Sequence, residues 1–458
     1  MPVKLETIVS FAKRRGFIFQ SADIYGGLSS CYDYGPLGVE FKNNIKRAWR
    51  KSMVQERNDV VGLDSAILSP EIVWEASGHL QGFSDPLVEC KECHHRFRAD
   101  HLLEAKQAEP GYVKEEPIDA KDVKCPDCDG ELTEPQEFNL MMKTELGVIE
   151  GKKDIAYLRG ETCQGIFLNY KNVLDSSKQK VPFGIAQVGK AFRNEITTKH
   201  FTFRMKEFEQ MEMQYFVNPK DAEKHFEYWK EERMNWYAGL GMKKDNLRFR
   251  QHEEDERAHY ALNAWDIEYN TPWSGWEEME GVHNRGDWDL SRHSEYSKQD
   301  LSYHDLVSGE KFTPFVVETS GGVDRAALMF LADAYEEVET RSGDDKSKHK
   351  IEVVLRLHKD LAPIKIAILP LSKKEPLQKL SLEIQDQLKG NWMTQYDLTG
   401  SIGKRYRRQD EIGTPYCLTV DFDSLEDKQV TVRDRDTMEQ ERISIDGIKE
   451  YFEGKLNN

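Results

Sequence analysis

A chain of 458 residues exceeds what one hydrophobic core holds, so two or three domains are expected. Hydrophobic residues at 38% and aromatics at 10% describe a folded globular protein, while 64 basic against 81 acidic residues leave a net charge of −17. That balance excludes a protein that coats nucleic acid through a general basic field, though not one with a local basic patch.

No apolar run of signal-peptide length opens the sequence, where Glu6 follows closely on Val3 and Leu5. No stretch nears the roughly 20 apolar residues of a membrane span. The expectation is a soluble cytoplasmic protein with no membrane partner. From Gly35 to Pro70 the pattern reads helix, then strand. Phe41, Ile45, Ala48, Trp49 and Met53 recur at helical spacing, and Asp59 to Leu68 is strand-like until Pro70 ends it. An ordinary core helix explains this, and a helix feeding a strand is also one route to a symmetric dimer.

Cys90-Lys91-Glu92-Cys93 and Cys125-Pro126-Asp127-Cys128 form two CxxC knuckles separated by a polar excursion, Glu104 to Lys124. Four thiolates suit tetrahedral Zn²⁺ with no open position, hence a structural site; a redox pair or free thiols is the competing reading. His94 and His95 read as surface residues. Cys31, Cys163 and Cys417 stand alone and read as packing groups.

Strands dominate Pro182 to Val217, with a polar loop at Thr197 to His200, and a charged helix follows from Asp221 to Leu240. Phe312 to Val317 reads as a strand, Asp324 to Val338 as a helix, and Glu336 to Lys350 as a charged segment near a domain boundary. After it, Ile364 to Leu369 is a buried-type strand, Leu377, Leu380, Ile384 and Leu388 form a helical stripe, and Trp392 to Leu398, Tyr416 to Phe422 and Gln429 to Arg435 add strands. Alternating strands and helices predict a compact α/β domain.

Phe192-Arg193-Asn194-Glu195 is followed closely by Lys206-Glu207-Phe208-Glu209-Gln210-Met211-Glu212. On a strand, alternate side chains share a face, so Phe208 and Glu212 would lie about 13 Å apart on one side. That separation suits a base at one end and an amine at the other, with the Arg193 guanidinium forking onto a phosphate between them. Without further signals, an amphipathic hairpin with surface ion pairs is the better reading. Val317 to Arg325 supplies one: Gly321 and Gly322 allow close backbone approach, and Arg325 in the first turn of a helix favours an anion there.

These segments resemble class II aminoacyl-tRNA synthetases, most closely the homodimeric glycyl family. Gly35-Pro36-Leu37-Gly38 through Pro70 resembles motif 1, the Arg193 hairpin motif 2, and Gly321 to Arg325 motif 3. Arg159 to Gly165 and Gly281 to Leu290, with Asn284-Arg285, are similar to further family segments. The resemblance implies an α+β fold: a class II antiparallel catalytic sheet over 1–360, a zinc-ribbon-like insertion at 88–135, and a C-terminal α/β anticodon-binding domain over 361–458.

It also implies that Arg193, Asn194, Glu195, Phe203, Arg204, Met205, Lys206, Glu207 and Phe208 bind ATP, with Glu278, Met279, Gly322, Val323, Asp324 and Arg325. Arg193 and Arg325 would be the catalytic cations. Glycine would meet Glu161, Phe208, Glu209, Gln210, Met211, Glu212, Glu318, Thr319, Ser320, Gly321 and Gly322, with Arg98 reaching in from the insertion. Mg²⁺ would accompany ATP, with Glu278 or Glu318 helping to hold it. The implied partners are tRNA(Gly) and a second copy of the chain.

The reaction would be glycine–tRNA ligation. The glycine carboxylate attacks the α-phosphate, diphosphate leaves, and the terminal adenosine hydroxyl of tRNA takes the glycyl group. Gly160, Cys163, Lys206 and Thr319 depart from the family pattern, which has proline, alanine, arginine and proline there.

Gly403-Lys404-Arg405-Tyr406-Arg407-Arg408 alone reads as a solvated helix face; with the resemblance, it becomes an RNA contact through phosphates and stacking on Tyr406. Two other functions compete: a catalytically inert relative that only binds nucleic acid, and a ligase acting on another amine without tRNA. Arg193, Phe208, Glu212 and Arg325 argue against the first, and the C-terminal domain against the second.

Overall fold

The computed structural model describes residues 3–107, 119, 123–149, 152–196, 201–253, 256–257, 261–339 and 351–456. Its central feature is a seven-stranded sheet of order β4-β5-β6-β7-β3-β2-β1. The strands are β1 (Val60–Gly62), β2 (Phe183–Phe192), β3 (Glu207–Val217), β4 (Leu247–Gln251), β5 (Asn263–Thr271), β6 (Gly275–Gly286) and β7 (Phe315–Gly322). All pairings are antiparallel except β1 with β2.

Period-two alternation gives this sheet two different faces. On β3, Met211, Met213, Tyr215 and Val217 enter the main core, where α1 (Pro36–Arg50), α2 (Ala222–Gly239) and α3 (Val323–Ala334) cover them. Gln210, Glu212 and Gln214 alternate with these and are also buried, so the opposite face is polar and enclosed. Under the core face a fully buried Glu280 receives the Arg233 guanidinium at 2.6 and 3.1 Å and the Tyr237 hydroxyl at 2.6 Å, tying α2 to β6.

The helix expected after Gly35 is α1, continued by a turn at Lys51–Gln55. The strand expected from Asp59 to Leu68 is instead two short ones, β1 and Leu68–Pro70, joined to different sheets. The glycine-rich strand runs further than expected, to Gly322. Its helix stops at Ala334, because Tyr335–Glu339 pairs with Ile351–Leu355 as a hairpin. The remainder of the expected segment at 340–350, the Thr197 to His200 loop and most of the polar excursion between the knuckles lie outside the described residues.

A second core lies beyond Leu361. Strands β8 (Ile366–Pro370), β9 (Thr394–Tyr396), β10 (Tyr416–Val420), β11 (Gln429–Asp434) and β12 (Gln440–Ser444) form a sheet of order β9-β8-β10-β11-β12. It packs with α4 (Glu375–Leu388), α5 (Ile402–Ile412) and α6 (Ile448–Leu456). Leu377, Ile384 and Leu388 face it as the helical stripe predicted. Among the described residues, no helix is long and apolar enough to cross a membrane.

Candidate active site

Two rows of side chains cross the polar face of the central sheet. Register places Glu212, Ser320, Gly281 and Asp266 side by side on β3, β7, β6 and β5. The next row holds Gln214, Glu318 and His283. A Cβ on Gly281 would meet the His283 ring at 2.9 Å, so glycine there is what lets the imidazole lie across the strand.

Three carboxylates converge. Glu212 accepts from Ser320 Oγ (2.6 Å), Gln210 Nε2 (3.0 Å) and Thr162 Oγ1. Glu318 accepts from Arg285 Nη1 (2.9 Å) and Gln214 Nε2 (2.7 Å) and shares a hydrogen bond with His283 Nδ1 (3.0 Å). Glu161 accepts from the Cys163 thiol (2.8 Å) and Gln164 Nε2 (3.0 Å), with His79 at 3.3 Å.

Their environments set them apart. Burial pushes the Glu212 carboxyl up, the Glu318 and Glu161 charges push it further, and it reaches about 7 despite its hydroxyl donors. Burial acts likewise on Glu318, but Arg285 and His283 outweigh it and bring it to about 2. At Glu161, burial is outweighed by His79, then by Arg285 and the Cys163 thiol, leaving it well below the usual carboxylate range. Two negative charges and one raised carboxyl, all enclosed, are a donor set that suits a small ammonium group.

The same cavity continues past Gln210 to two arginine–ring pairs. Arg193 lies between the Phe83 and Phe208 rings at 5.1 and 5.3 Å, its Nε donating to Gly160 O. Arg325 covers the Phe203 ring at 4.4 Å and pairs with Glu278 at 3.1 Å. Five cavity-lining polar atoms are buried without a partner among the described residues: Glu195 Oε2, Thr202 Oγ1, Arg204 Nη1, Gln210 Oε1 and His283 Nε2. Buried polar groups are nearly always bonded, so this concentration fits a cavity whose partners arrive with a polar ligand.

Of the residues named from sequence, Glu161, Arg193, Glu195, Phe203, Arg204, Met205, Phe208, Glu209, Gln210, Glu212, Glu278, Glu318, Ser320, Gly322, Asp324 and Arg325 line this cavity. Met211, Met279, Thr319 and Val323 are buried on the core side, Met211 and Thr319 because strand alternation turns them away from the ligand face. Gly321 is needed as glycine, since a Cβ would strike Glu280 Oε2 at 2.9 Å.

Lys206 precedes β3, with its carbonyl accepting from Arg193 N at 2.9 Å; it does not line the cavity, and neither do Asn194 and Glu207. Glu207 instead pairs with Lys190. Arg98 lies behind the wall, paired with Asp85 (2.9 Å) and Asp100 (2.6 Å). Glu209 pairs with Lys42 and Lys46, while Asp324 holds Tyr34, Lys42 and the Glu209 amide, locking the start of α3. Sequence reading missed Thr162, Gln214 and His283 as site residues; alternation from Glu212 and Gly281 was the signal for the latter two.

The four cysteines come together with Cys90–Cys128 and Cys93–Cys125 sulfur separations of 3.4 and 3.7 Å. Tetrahedral thiolate coordination at about 2.3 Å places sulfurs a little under 4 Å apart, so the quartet fits Zn²⁺. Gly130 permits this approach, because a Cβ would meet Cys90 Sγ at 2.9 Å.

The basic run needs correction. Arg405 is 2% exposed, and its guanidinium donates to the carbonyls of Pro370, Leu371 and Asp397. Tyr406 packs against Cys417 and bonds Thr419. Arg407 pairs with Glu352, and Arg408 with Asp397. Lys404 is the most exposed of the run, while Arg405 and Tyr406 turn toward β8 and β10 and Arg407 toward the Ile351–Leu355 strand, leaving Arg408 partly exposed beside Asp397.

A largely antiparallel sheet with a deep polar cavity on one face is the architecture of a class II aminoacyl-tRNA synthetase. Residues 144–335 match the family described as tRNA synthetase class II core domain (G, H, P, S and T), and 365–455 match Anticodon binding domain. The fold is shared with prolyl-tRNA synthetase from Cryptosporidium parvum complexed with halofuginone and AMPPNP, with a TM-score of 0.62 over 99% of this chain and 77% of that one at 14% identity.

Whole-chain relatives narrow the class. The chain is 52% identical over 444 residues to the glycine–tRNA ligase of Treponema denticola, covering 96% of this chain and 94% of that protein. It is 51% identical over 456 residues to that of Thermobifida fusca, covering 99% and 98%. The chain belongs to the glycine–tRNA ligase family.

Proposed function

We propose that the protein activates glycine with ATP and transfers it to the 3′ end of tRNA(Gly), using the residues of the sheet cavity. The observation that carries the reading is the convergence of Glu161, Glu212 and Glu318 at one end of a cavity whose other end holds Arg193 and Arg325. The glycine ammonium sits among the three carboxylates and Ser320. Its carboxylate attacks the α-phosphate in line, and Arg193 and Arg325 hold phosphate oxygens and stabilise charge as diphosphate departs. Phe208 stacks on the adenine. No side-chain nucleophile takes part, and a methyl side chain is rejected by sterics alone.

Glu278, with Asp266 nearby in charge contact, supplies the oxygen donors that suit Mg²⁺, and these would hold it beside the phosphates. When bound, that ion neutralises charge on the departing diphosphate. Zn²⁺ in the cysteine quartet is structural. The domains in this reading are 1–360, with 88–135 inserted, and 361–458, a division supported by separate apolar clusters in the three parts. A homodimer is part of this reading, supported by exposed Ile67, Leu68 and Ile72 following β1. Lys404 contacts tRNA, and the cytoplasm is the compartment.

Charging of tRNA(Gly) with labelled glycine tests the proposal. Glu318→Ala should lose charging by at least about 100-fold, since it removes one ammonium contact and leaves Arg285 held by Asp289 alone of its two carboxylates in the site. Charging that survives in Glu318→Ala would overturn the site assignment.

A further inference from the structure

A basic cleft of about 600 Å³ lies between α1 and the C-terminal domain, remote from the sheet cavity. One wall carries Arg47 and Lys51 at the end of α1; the other carries Lys359, Lys365 and Lys389. Against these five cations stand the carboxylates of Glu40 and Asp360 in the lining, with Glu56 pairing Lys51 at 3.5 Å from outside it. In a chain of net charge −17, such an excess is not what a solvated surface would supply by chance.

The cleft is built rather than incidental. Asn44, buried on α1, donates its amide to the carbonyls of Leu361 and Ala362 at 3.3 and 2.9 Å, which fixes the two walls together. The same Asn44 accepts from Arg47 Nη1 at 3.0 Å, orienting that guanidinium. Lys365 donates to the carbonyls of Lys359 and Asp360 at 2.6 and 2.8 Å, leaving its ammonium without a carboxylate bond among the described residues. Burial pulls this ammonium down to about 8 against the opposing pull of Asp360, and Arg47 adds to the lowering. An arriving anion would offset the Arg47 repulsion and favour the charged form of Lys365. Lys389 keeps only an exposed pair with Asp386 at 2.5 Å.

We propose that this cleft holds consecutive phosphates of the tRNA backbone, where the molecule crosses from the C-terminal domain to the catalytic half. The inference rests on the tRNA reading above and deepens it. Lys365 opens the segment that matches the anticodon-binding family, while Arg47 belongs to a helix packed under the catalytic sheet. A polyanion engaged by both halves is the ligand that meets cations from both. The phosphate contacts expected of the α5 arginines, which are bonded to carboxylates and carbonyls, pass to this cleft, while Lys404 keeps its own contact.

The test is a full-length triple variant, Arg47→Gln, Lys365→Met and Lys389→Gln, compared with Lys298→Gln as a distant surface control. Glycine-dependent ATP–diphosphate exchange without tRNA should stay within about twofold of the parent. The dissociation constant for tRNA(Gly) should rise at least about tenfold at moderate salt. The log–log salt slope should fall by about 2, at roughly 0.7–0.9 for each phosphate no longer neutralised. An unchanged salt slope overturns the cleft, and so does loss of exchange with tRNA affinity intact, which would make it structural.

Inorganic diphosphate supplies the second arm. If it stabilises the parent more than the variant while tRNA affinity is equal in both, the site takes free anions and the RNA assignment fails. A change in sedimentation of the variant would mark the cleft as an interface between copies and also overturn it. A parent enzyme that does not bind tRNA(Gly) at all would sink the functional reading itself, not this cleft alone.

Discussion

Glu212 concentrates the chemistry at the residue scale. Its carboxyl is raised by burial and by Glu318 and Glu161 to about 7 in the free site, so it is protonated on the acid side of neutrality and ionised above it. An ammonium ligand needs the ionised form and expels the proton. Glycine affinity is therefore expected to rise about tenfold per pH unit up to about pH 7 and to level off above it. The KM for glycine, measured by exchange from about pH 6 to about pH 8, checks this. A flat profile would contradict the assignment of Glu212.

The stability sign agrees. A raised carboxyl stabilises the free protein below its unfolded value, and that contribution is lost as pH rises through 7. Glycine should raise the melting temperature more at about pH 8 than at about pH 6. Glu212→Gln should abolish this difference while leaving the ATP-induced shift in place. At the other end of the cavity, Arg193→Lys should cost about 100-fold or more in exchange, because an ammonium cannot reproduce the forked geometry or lie flat between Phe83 and Phe208.

At the scale of elements, the sheet is held to its helices by the buried Arg233–Glu280–Tyr237 cluster. Glu280→Ala would leave a guanidinium unpaired in the core, and a loss of about 3–5 kcal/mol is expected in denaturant unfolding. A loss under about 1 kcal/mol would show the cluster to be dispensable. In the C-terminal domain, Arg405 is a structural group, so Arg405→Ala should lower the stability of that domain. Lys404→Ala should leave stability unchanged and weaken only tRNA charging.

Strand and helix differ in what sequence discloses. Phe208, Gln210 and Glu212 were legible as one face because a strand alternates strictly. The same rule, carried one residue further, sets Met211 and Thr319 against the core and brings in Gln214. The run at Lys404 misled because its charges hid an inward stripe: Arg405, Gln409 and Ile412 recur at helical spacing and are buried. Polar side chains can fill an interior position when carbonyls such as Pro370 O receive them, and hydropathy alone does not register that.

For the whole molecule, the order of motifs along the chain was legible, and so was the division into two cores, because each core has its own apolar rhythm. What sequence left hidden depends on distant segments meeting. His79 reaches Glu161, Arg285 reaches Glu318, and Arg47 faces Lys365 across the cleft only after folding. The cysteine quartet is a second long-range closure, which brackets residues 90–128. Removing Zn²⁺ with a chelator, or substituting Cys125→Ser, should unfold this module and release about one equivalent of zinc per chain. An unchanged proteolytic pattern would contradict a structural metal there.

The central claim is that the cavity on the polar face of the sheet makes glycyl-adenylate. ATP–diphosphate exchange, run with each of the amino acids in turn, tests it most directly. Exchange is expected with glycine, at a rate well above that with alanine or serine, and to disappear in Arg193→Ala. Absence of exchange with glycine, or faster exchange with alanine or serine, would contradict it.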